Sequence, residues 1–299
     1  MSTQEELNRL ATTLLFDGSS TKVVVPDSNN LSVTTTGSIT ISAWIRPDTL
    51  LFPNAVSAGV EGTYVHWLQK GEYSTPLQEW AFRMYSNDGN RPNRISFYVF
   101  NSSGGVGVGS YFQDTIVAGE WIHVVGKIDS SKTYIYKNGV LRDSDVYTAS
   151  ITPTNTSAQL GIGAPAIQGV TPMFFLGAIR DVIIFNRALS DSEVTNLYNG
   201  SIPHGVVARY MLNDRASTAT DISNSNNGTI TNANWSANNL SVNECLNVLA
   251  HKNPPILDST TAANIWANTS NLRLQDALNA KAGTVNLRKQ EAVKIITTL

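Results

Sequence analysis

Short apolar runs separated by turn residues recur from about residue 13 to residue 235. In "SITISAWI" every second residue from Ile39 to Ile45 is apolar, which is the period of a strand with one buried face. Asn138-Gly139 favours a type I′ hairpin turn, and Asp17-Gly18 predicts a second hairpin. Further strands are predicted at about residues 63–69, 80–86, 94–100, 106–113, 120–129, 133–137, 158–163, 173–187, 206–212 and 227–235. Many short strands of this kind predict an all-β fold, a two-sheet antiparallel sandwich.

A short helix, residues 190–199, is predicted directly after the longest strand. Ser190 is suited to cap the backbone amide of Glu193, while Glu193 reaches back to the amide of Ser190, the reciprocal pattern called a capping box. Leu189 and Val194 stand where a hydrophobic staple would fix the entry of the chain into the helix. We therefore expect this helix to have a structural role, with its apolar side chains packed against the edge of the sandwich.

The charge composition argues against nucleic acid or an anionic membrane as the main partner. Only 15% of residues are charged, and 21 basic against 23 acidic side chains give a net charge of −2. No apolar run approaches the roughly 18 residues that a membrane span needs, and the N-terminus lacks the pattern of a signal peptide. We expect a soluble protein made in a cytoplasm, without an intrachain disulfide because Cys245 has no second cysteine to pair with.

Ordered sequence blocks carry a resemblance to a known family of domains. The blocks are "LLFDGSSTKVVVPDSNNL", "ITISAWIRPD", "QKG" at 69–71, "GEWIHVVGKID", "YIYKNGVL", "LGIGA" and "GAIRDVIIFNRALSDSEVTNLYNG". Over residues 12–202 their order resembles that of LamG-like jelly-roll domains, which have the concanavalin A-like fold. The resemblance implies that the predicted sandwich is a jelly roll.

The segment 206–235 resembles the opening segment of the same family, which usually precedes the block that contains "FDG". In this chain the segment follows the closing helix, so we predict a circularly permuted domain. A sandwich tolerates such a permutation when its termini lie close together at the surface. The alternative is that residues 206–235 begin a truncated second copy of the domain.

Both ends of the chain differ in character from the predicted LamG-like domain, residues 12–238. Residues 1–11 predict a short amphipathic helix. Within residues 239–299, "LSVNECLN", "LRLQDALN" and "TVNLRKQEAV" repeat one pattern, and each repeat predicts a short amphipathic helix that is marginal alone. This part resembles C-terminal segments of structural proteins from tailed bacteriophages. We therefore predict a small α-helical tail for docking or oligomerisation.

No residue pattern predicts catalysis. The acid pairs in "DSDV" (143–146) and "SDSEV" (190–194) fall in a predicted polar loop and in the capped helix. The paired carboxyl groups of retaining glycoside hydrolases lie about 5 Å apart, often two residues apart on one strand face, and the Glu-x-Asp-x-x-Glu strand motif of one hydrolase family with this fold is absent. "GGVGVG" at 104–109 predicts a turn or bulge among strands, and the four histidines lack metal-ligand spacing.

Candidate ligand contacts are aromatic residues in or beside predicted rim loops, because sugar sites pair an aromatic platform with a few polar groups. They are Tyr73, Trp80, Tyr85, Tyr111 and Phe174. Many LamG-like domains bind calcium at a sandwich rim, so the resemblance implies calcium as a cofactor. Asp214 and Asp221 have the oxygen chemistry that calcium needs, and the alternative is that both form turns.

These features predict a non-enzymatic structural protein of a bacteriophage virion. The protein would display a LamG-like binding module as a tail fibre, a tail-tip part or a head decoration, at the virion surface. Its expected partners are other virion proteins through the C-terminal helices, further copies of the chain, and a host cell-surface glycan. The alternatives are a stand-alone carbohydrate-binding adhesin and a polysaccharide-degrading enzyme.

Overall fold

The computed structural model describes residues 12–33, 37–57, 63–71, 77–100, 107–147, 155–166 and 173–236. The predicted N-terminal helix at 1–11 and the predicted helical tail at 239–299 lie outside these residues. The chain divides into two compact units, and the larger one, Thr13–Asn196 with Ile202–Trp235, is a β-sandwich. In the smaller unit, the Gly200 N–H donates to the Leu197 carbonyl at 3.0 Å. Within the described ranges, no helix is long and apolar enough to cross a membrane.

Two antiparallel sheets make up the sandwich. The described strands are, in chain order, β1 (Leu14–Asp17), β2 (Lys22–Val25), β3 (Ile39–Pro47), β4 (Val56–Ser57), β5 (Thr63–Lys70), β6 (Trp80–Tyr85), β7 (Ile95–Phe100), β8 (Gly107–Phe112), β9 (Ile122–Ile128), β10 (Lys132–Lys137), β11 (Val140–Val146), β12 (Leu160–Ile162), β13 (Leu176–Phe185), β14 (Val206–Tyr210), β15 (Thr218–Ala219), β16 (Gly228–Thr231) and β17 (Asn234–Trp235). A short 3-10 helix spans Asn29–Leu31.

The first sheet has the strand order β11-β10-β9-β3-β13-β1-β17, and β14 also pairs with β13. The second sheet has the order β15-β16-β2-β12-β5-β6-β7-β8, with β4 beside β5. This arrangement confirms the predicted all-β sandwich. The predicted hairpin between β10 and β11 is confirmed as well, with φ of 52° at Asn138 and 79° at Gly139.

The chain crosses from the first sheet to the second between β1 and β2, so the predicted hairpin at Asp17-Gly18 is wrong. β1 pairs with β13 and β17, whereas β2 pairs with β12 and β16. The Asp17 carboxylate accepts hydrogen bonds from the backbone N–H groups of Ser19, Ser20 and Thr21. Burial alone would raise the pKa of Asp17, but these bonds and one from the Ser20 hydroxyl hold it well below its usual value. The Asp-Gly signal therefore forms a corner between the sheets.

The apolar core lies between the sheets and is built from alternate residues of their strands. The inward residues of β3, from Ile39 to Ile45, are fully buried, as their spacing predicts. In the second sheet the ring centroids of Trp67 and Phe82 lie 4.7 Å apart, and those of Phe82 and Phe97 lie 4.6 Å apart. The rings of Phe82 and Phe97 pack against Gly126 of β9, where a Cβ atom would lie 2.5 Å from Phe97 Cγ. Only a residue without a side chain fits there.

A buried ion pair joins "QKG" at the end of β5 to three neighbouring segments. Lys70 Nζ lies 2.9 Å from Glu79 Oε1 and 2.7 Å from Asp27 Oδ1, and the Lys70 and Glu79 side chains have no exposed surface. Nζ also donates to the Ala158 carbonyl at 2.7 Å, and Glu79 Oε1 accepts from the Thr156 N–H at 2.7 Å. Burial raises the pKa of Glu79, and Lys70 opposes that shift.

The predicted capping box is confirmed at the start of the helix α1 (Asp191–Tyr198). The Ser190 N–H donates to Glu193 Oε2 at 2.8 Å, and the Glu193 N–H donates to Ser190 Oγ at 3.3 Å. The two predicted staple residues, one on each side of the cap, are both buried. The Tyr136 hydroxyl of β10 donates to Asp191 Oδ1 at 2.6 Å. This bond attaches the start of the helix to the outer face of the first sheet.

The segment 206–235 adds strands to both sheets. β14 pairs with β13 and β17 pairs with β1 in the first sheet, while β16 pairs with β2 and β15 in the second. Arg209 of β14 forms an ion pair with Asp181 of β13, with Nε and Oδ1 2.6 Å apart. Asp181 is buried and has a φ of 47°, at the point where the pairing of β13 with β3 shifts register. The segment is therefore part of the same sandwich.

Candidate functional site

Aromatic and arginine side chains lie together on the outside of the second sheet, across β5, β6, β7 and β8. They belong to the residues that alternate with the core residues of these strands. The strand register places Arg83 of β6 beside Ser96 of β7, and Ser96 beside Tyr111 of β8. Tyr98 of β7 stands in the next row, opposite Gly109 of β8. Small residues therefore alternate with large ones on this surface and leave space for the rings.

Two glycines of β8 make room for two aromatic rings of β7. A Cβ atom at Gly109 would lie 2.6 Å from Tyr98 Cδ1, and one at Gly107 would lie 2.8 Å from Phe100 Cδ1. The two rings thus occupy the space above the β8 backbone that side chains would otherwise fill. The prediction of a turn or bulge for "GGVGVG" is therefore wrong at Gly107 and Gly109, which are part of a strand.

Arg83 is held on this surface by two aromatic rings and a histidine. Its guanidinium carbon lies 4.4 Å from the ring centroid of Tyr64 and 4.6 Å from that of Tyr98. Arg83 Nε donates to His66 Nε2 at 2.9 Å, and His66 Nδ1 is hydrogen-bonded to Gln69 Oε1. Burial and the nearby charge of Arg83 lower the pKa of His66 well below its usual value. The imidazole therefore stays neutral at pH 7 and accepts the bond that orients Arg83.

Arg94 places a second cation on the same surface. Its guanidinium carbon lies 3.8 Å from the ring centroid of Tyr111 and 5.7 Å from that of Tyr85. Its Nε and Nη2 groups both donate to Gln113 Oε1, at 3.2 and 2.9 Å. Tyr111 is 41% exposed, so a ligand can reach its ring. Burial and the neighbouring Tyr85 raise the pKa of Tyr98 to about 12, so its hydroxyl remains a neutral donor at physiological pH.

We name this surface the tyrosine–arginine face and define it by six residues. They are Tyr64, Arg83, Tyr85, Arg94, Tyr98 and Tyr111. Two of the five predicted ligand contacts, Tyr85 and Tyr111, belong to it. Tyr85 is buried and packs against the guanidinium of Arg94, whereas Tyr111 is open to solvent.

The other three predicted ligand contacts do not join this face. Tyr73 lies outside the described residues. Trp80 has no exposed surface, and its Nε1 donates to the Leu31 carbonyl at 3.2 Å in the core. Phe174 is also buried, with 7% of its surface exposed. The expectation that Trp80 and Phe174 line an accessible rim is therefore wrong, because both rings are packed in the interior.

Four residues of the tyrosine–arginine face were not predicted: Tyr64, Arg83, Arg94 and Tyr98. The apolar residues of "WAFRMY" and "ISFYVF" alternate along β6 and β7, and that period places Arg83 and Tyr98 on the opposite, outward surface. Tyr64 carries no such signal because a bulge in β5 shifts the alternation after it. Arg94 lies within the strand predicted at about residues 94–100, and the same period places it on the outward surface with Tyr98, although β7 itself begins at Ile95.

Asp214 and Asp221 act as turn-forming residues in the described structure. Asp214 Oδ1 accepts a backbone N–H at 3.1 Å. Asp221 is buried, and its two oxygens accept the N–H groups of Arg209, Ser223 and Asn226 at 2.9 to 3.2 Å. Across the residues that the structure describes, no group of three or more His, Cys, Asp or Glu side chains is placed to hold a metal ion. The turn-forming alternative accounts for these contacts, and calcium binding stays a prediction.

The sequence predicts a polar loop for the acid pair at 143–146, and this prediction is wrong because the pair lies in strand β11. Asp143 and Asp145 are two residues apart and share one face of the strand. Asp143 Oδ2 accepts the Tyr111 N–H at 3.0 Å. Burial raises the pKa of Asp145 and the neighbouring Asp143 raises it further, while a hydrogen bond with Ser110 acts in the opposite direction. Both carboxyl groups thus contact β8 across the edge between the sheets, which is a structural role.

The two antiparallel sheets define a concanavalin A-like jelly-roll domain, with aromatic rings on the outer surface of one sheet. Residues 17–195 match the laminin G-type family described as "Concanavalin A-like lectin/glucanases superfamily". The match covers more than half of the chain, and the chain therefore belongs to this family. The match to the family ends before the segment 206–235, so circular permutation stays a prediction. No curated protein matches this sequence.

Several solved structures are similar to this chain at low sequence identity, and the one with a TM-score above 0.5 shares the fold. A protein from Bacteroides ovatus ATCC 8483, described as a "putative carbohydrate binding protein", is 16% identical with a TM-score of 0.54, over 77% of this chain and 60% of that chain. A heptameric SAP-like pentraxin from Limulus polyphemus is 14% identical with a TM-score of 0.44, over 62% of this chain and 81% of that chain. The receptor binding domain of botulinum neurotoxin mosaic serotype C/D is 16% identical with a TM-score of 0.44, over 61% of this chain and 40% of that chain.

At these identities the likeness to solved structures extends to the fold alone. The aligned part spans 60% of the length of the Bacteroides chain, so the remainder of that protein has no counterpart in the alignment. The family description names lectins and glucanases together, and the fold by itself does not separate binding from hydrolysis. The function has to be argued from the side chains of the tyrosine–arginine face.

Proposed function

We propose that the protein is a non-enzymatic carbohydrate-binding module that holds its ligand on the tyrosine–arginine face. The observation that carries the proposal is the placement of Tyr98 and Tyr111 beside two guanidinium groups on one sheet surface. Sugar sites combine aromatic rings, which pack on the apolar face of a sugar, with a few polar groups that fix its hydroxyls. The lectins of the family and the description of the Bacteroides protein support the same class of function.

Each part of the face has a distinct role in this proposal. Tyr111 offers the accessible ring on which a sugar packs. The N–H groups of Arg83 and Arg94 that have no partner among the described residues donate hydrogen bonds to sugar oxygens, while Tyr98, whose hydroxyl is hydrogen-bonded to Tyr85, contributes its ring. The bond from Arg83 to His66 already fixes the guanidinium, so little side-chain entropy is lost when the ligand binds.

Glycan-array binding by the full chain tests this proposal. We expect Tyr111→Ala to weaken binding about tenfold, which corresponds to about 1.4 kcal/mol, because it removes the accessible ring. The matched control is Tyr134→Ala, a half-buried tyrosine beside Lys127 on the outer surface of the first sheet. A silent array would contradict the proposal, and so would an equal loss of binding in the control.

The same proteins separate binding from turnover and test calcium. We expect no release of reducing ends from a bound polysaccharide, because Asp143 is engaged with the β8 backbone. Turnover that disappears in Asp143→Asn would favour the hydrolase alternative instead. Binding that is lost in a chelator and restored by calcium would support the calcium prediction at Asp214 and Asp221. Binding that is unchanged by the chelator would oppose it.

We also propose that this module is carried on a bacteriophage particle, as a tail fibre, a tail-tip part or a head decoration. Support comes from the sequence of residues 239–299, whose repeats resemble C-terminal segments of tailed-phage structural proteins. The repeats carry apolar residues at helical spacing, and helices this short need a partner to cover their apolar stripes. Neighbouring virion proteins or further copies of the chain would supply that cover.

Incorporation into particles tests the virion proposal. A phage that carries Leu274→Glu and Leu278→Glu should incorporate much less of the protein, because both changes charge apolar positions of a repeat. Asn271→Glu in the same repeat is the matched control and should be incorporated normally. Quantitative mass spectrometry of purified virions measures the amounts. Normal incorporation of the double variant would contradict the docking role, and absence of the wild-type protein from virions would favour the stand-alone adhesin.

A further inference from the structure

Arg83 and Arg94 differ from most other arginines of the sandwich because neither is neutralised by a carboxylate. Among the described residues, four arginines form ion pairs with described carboxylates: Arg46 with Asp48, Arg142 with Asp114, Arg187 with Glu193, and Arg209 with Asp181. Within the described part of the chain, no carboxylate lies within ion-pair distance of Arg83 or Arg94. Their hydrogen-bond acceptors are the neutral side chains of His66 and Gln113.

The two guanidinium groups keep different sets of N–H donors available. Arg83 uses Nε on His66, so the edge formed by its two Nη groups is free among the described residues. Arg94 uses Nε and Nη2 on Gln113, which leaves Nη1. Both side chains are half-buried against tyrosine rings. A cation that is partly removed from water and lacks a counter-ion attracts an anionic group more strongly than a fully exposed one does.

Asp143 contacts this face but does not neutralise either cation. Asp143 Oδ2 accepts the backbone N–H of Tyr111, and Asp143 belongs to β11 of the first sheet. Its contact with the face is therefore through the β8 backbone and not through a guanidinium. The face keeps two positive charges beside the accessible ring of Tyr111.

We infer that the tyrosine–arginine face takes an acidic saccharide, one that carries a carboxylate or a sulfate group, and that Arg83 is its anion contact. A guanidinium binds such an oxyanion through two parallel N–H···O bonds, and the free Nη edge of Arg83 has that geometry. Arg94 adds charge and one donor, while Tyr111 packs on the sugar ring. This inference rests on the proposed carbohydrate-binding function and narrows it to one class of ligand.

Two matched pairs of probes test the inference with the full chain. The first pair is oligogalacturonate and its methyl ester, and the second is dextran sulfate and dextran. Calorimetric titration should show at least one acidic probe binding about tenfold or more tightly than its neutral partner, with a difference that shrinks as salt is added. Arg83→Gln should abolish the difference, while Arg83→Lys should keep part of it because the charge remains and the two-donor edge is lost. Arg142→Gln, which removes an arginine paired with Asp114, is the matched control.

Each outcome of this experiment is decisive. Equal binding of acidic and neutral partners, or an acidic preference that survives Arg83→Gln, overturns the inference and leaves the proposed function intact. If Arg142→Gln and Arg83→Gln lose the acidic preference equally, the protein attracts polyanions non-specifically, and this outcome also overturns the inference. If no saccharide binds, either on the array or in the calorimetric titrations, the proposed function and the inference are overturned together. Thermal unfolding checks each variant, and Arg83→Lys carries the test if Arg83→Gln does not fold.

Discussion

The buried ion pair between Lys70 and Glu79 yields the sharpest prediction about stability. We expect Lys70→Met to lower the free energy of unfolding by about 3–5 kcal/mol at neutral pH, because removing one partner of a buried pair leaves the other charge uncompensated. Both side chains have no exposed surface, so water cannot replace the ammonium group. Glu79 would keep its bonds to Thr156 but lose Lys70, its one ion-pair partner among the described residues.

The loss should depend on pH in a defined direction. Burial raises the pKa of Glu79 and Lys70 opposes the shift, so removing Lys70 raises that pKa further. A carboxyl group whose pKa is higher in the folded state takes up its proton more readily when folded. Its protonation therefore stabilises the fold as the pH falls toward the unfolded value near 4.5, and that gain is lost as the pH rises through the folded value. We expect Lys70→Met to lose less unfolding free energy, relative to wild type, at pH 5 than at pH 7.5.

Urea denaturation of the full chain at the two pH values measures both effects. Lys70→Met with Glu79→Gln removes the stranded charge, so the double variant should recover stability relative to Lys70→Met at pH 7.5 and lose the pH dependence. Lys22→Met is the control, since Lys22 Nζ donates to one acceptor among the described residues, the Ala166 carbonyl at 2.9 Å, and its loss should cost about 1 kcal/mol. A deficit below about 1 kcal/mol for Lys70→Met, or one that is equal at both pH values, would refute the reasoning.

Three further changes have expected outcomes that urea denaturation can measure. Burial lowers the pKa of His123 to about 3, so the stability that its neutral ring contributes is present above the unfolded pKa near 6.5 and falls as the pH drops. Between pH 7 and pH 5 the free energy of unfolding should fall by about 2 kcal/mol because of His123. The fall in His123→Gln should be smaller than in wild type by that amount, and an equal fall in both proteins would contradict the reasoning. Gly126→Ala should cost about 1–3 kcal/mol because its Cβ would meet Phe97, and Phe97→Leu in the same chain should recover part of the loss. Ser190→Ala should cost about 0.5–2 kcal/mol of unfolding free energy as a lost helix cap, whereas Asn196→Ala at an exposed position of the same helix should cost almost nothing, and equal effects would argue against the cap.

The geometry of the tyrosine–arginine face depends on residues outside the six that define it. Gly109 leaves the space over which the Tyr98 ring lies, and His66 orients Arg83 through its Nε2. A change at either position would move the binding groups without removing them. Affinity on this face should therefore respond to the strand residues below it as well as to the exposed rings.

Much of the local structure could be predicted from the sequence, because short-range signals decided it. The alternation in "SITISAWI" placed its isoleucines in the core, since a strand turns every second side chain to the same side. Asn138-Gly139 predicted its hairpin because both residues adopt positive φ without strain. The capping box from Ser190 to Glu193 formed because its two partners lie only three residues apart.

Tertiary structure alone decided the features that depend on residues far apart in the chain. Asp17-Gly18 carries a hairpin signal, yet the following strand finds its partners in the opposite sheet, so the turn became a corner. The site shows the same limit, because Tyr98 and Gly109 meet only through the register of β7 with β8. Whether Arg83 has a counter-ion depends on which side chains the sheets bring near it. A strand's period specifies which residues point outward, but register and sheet order decide what each of them meets there.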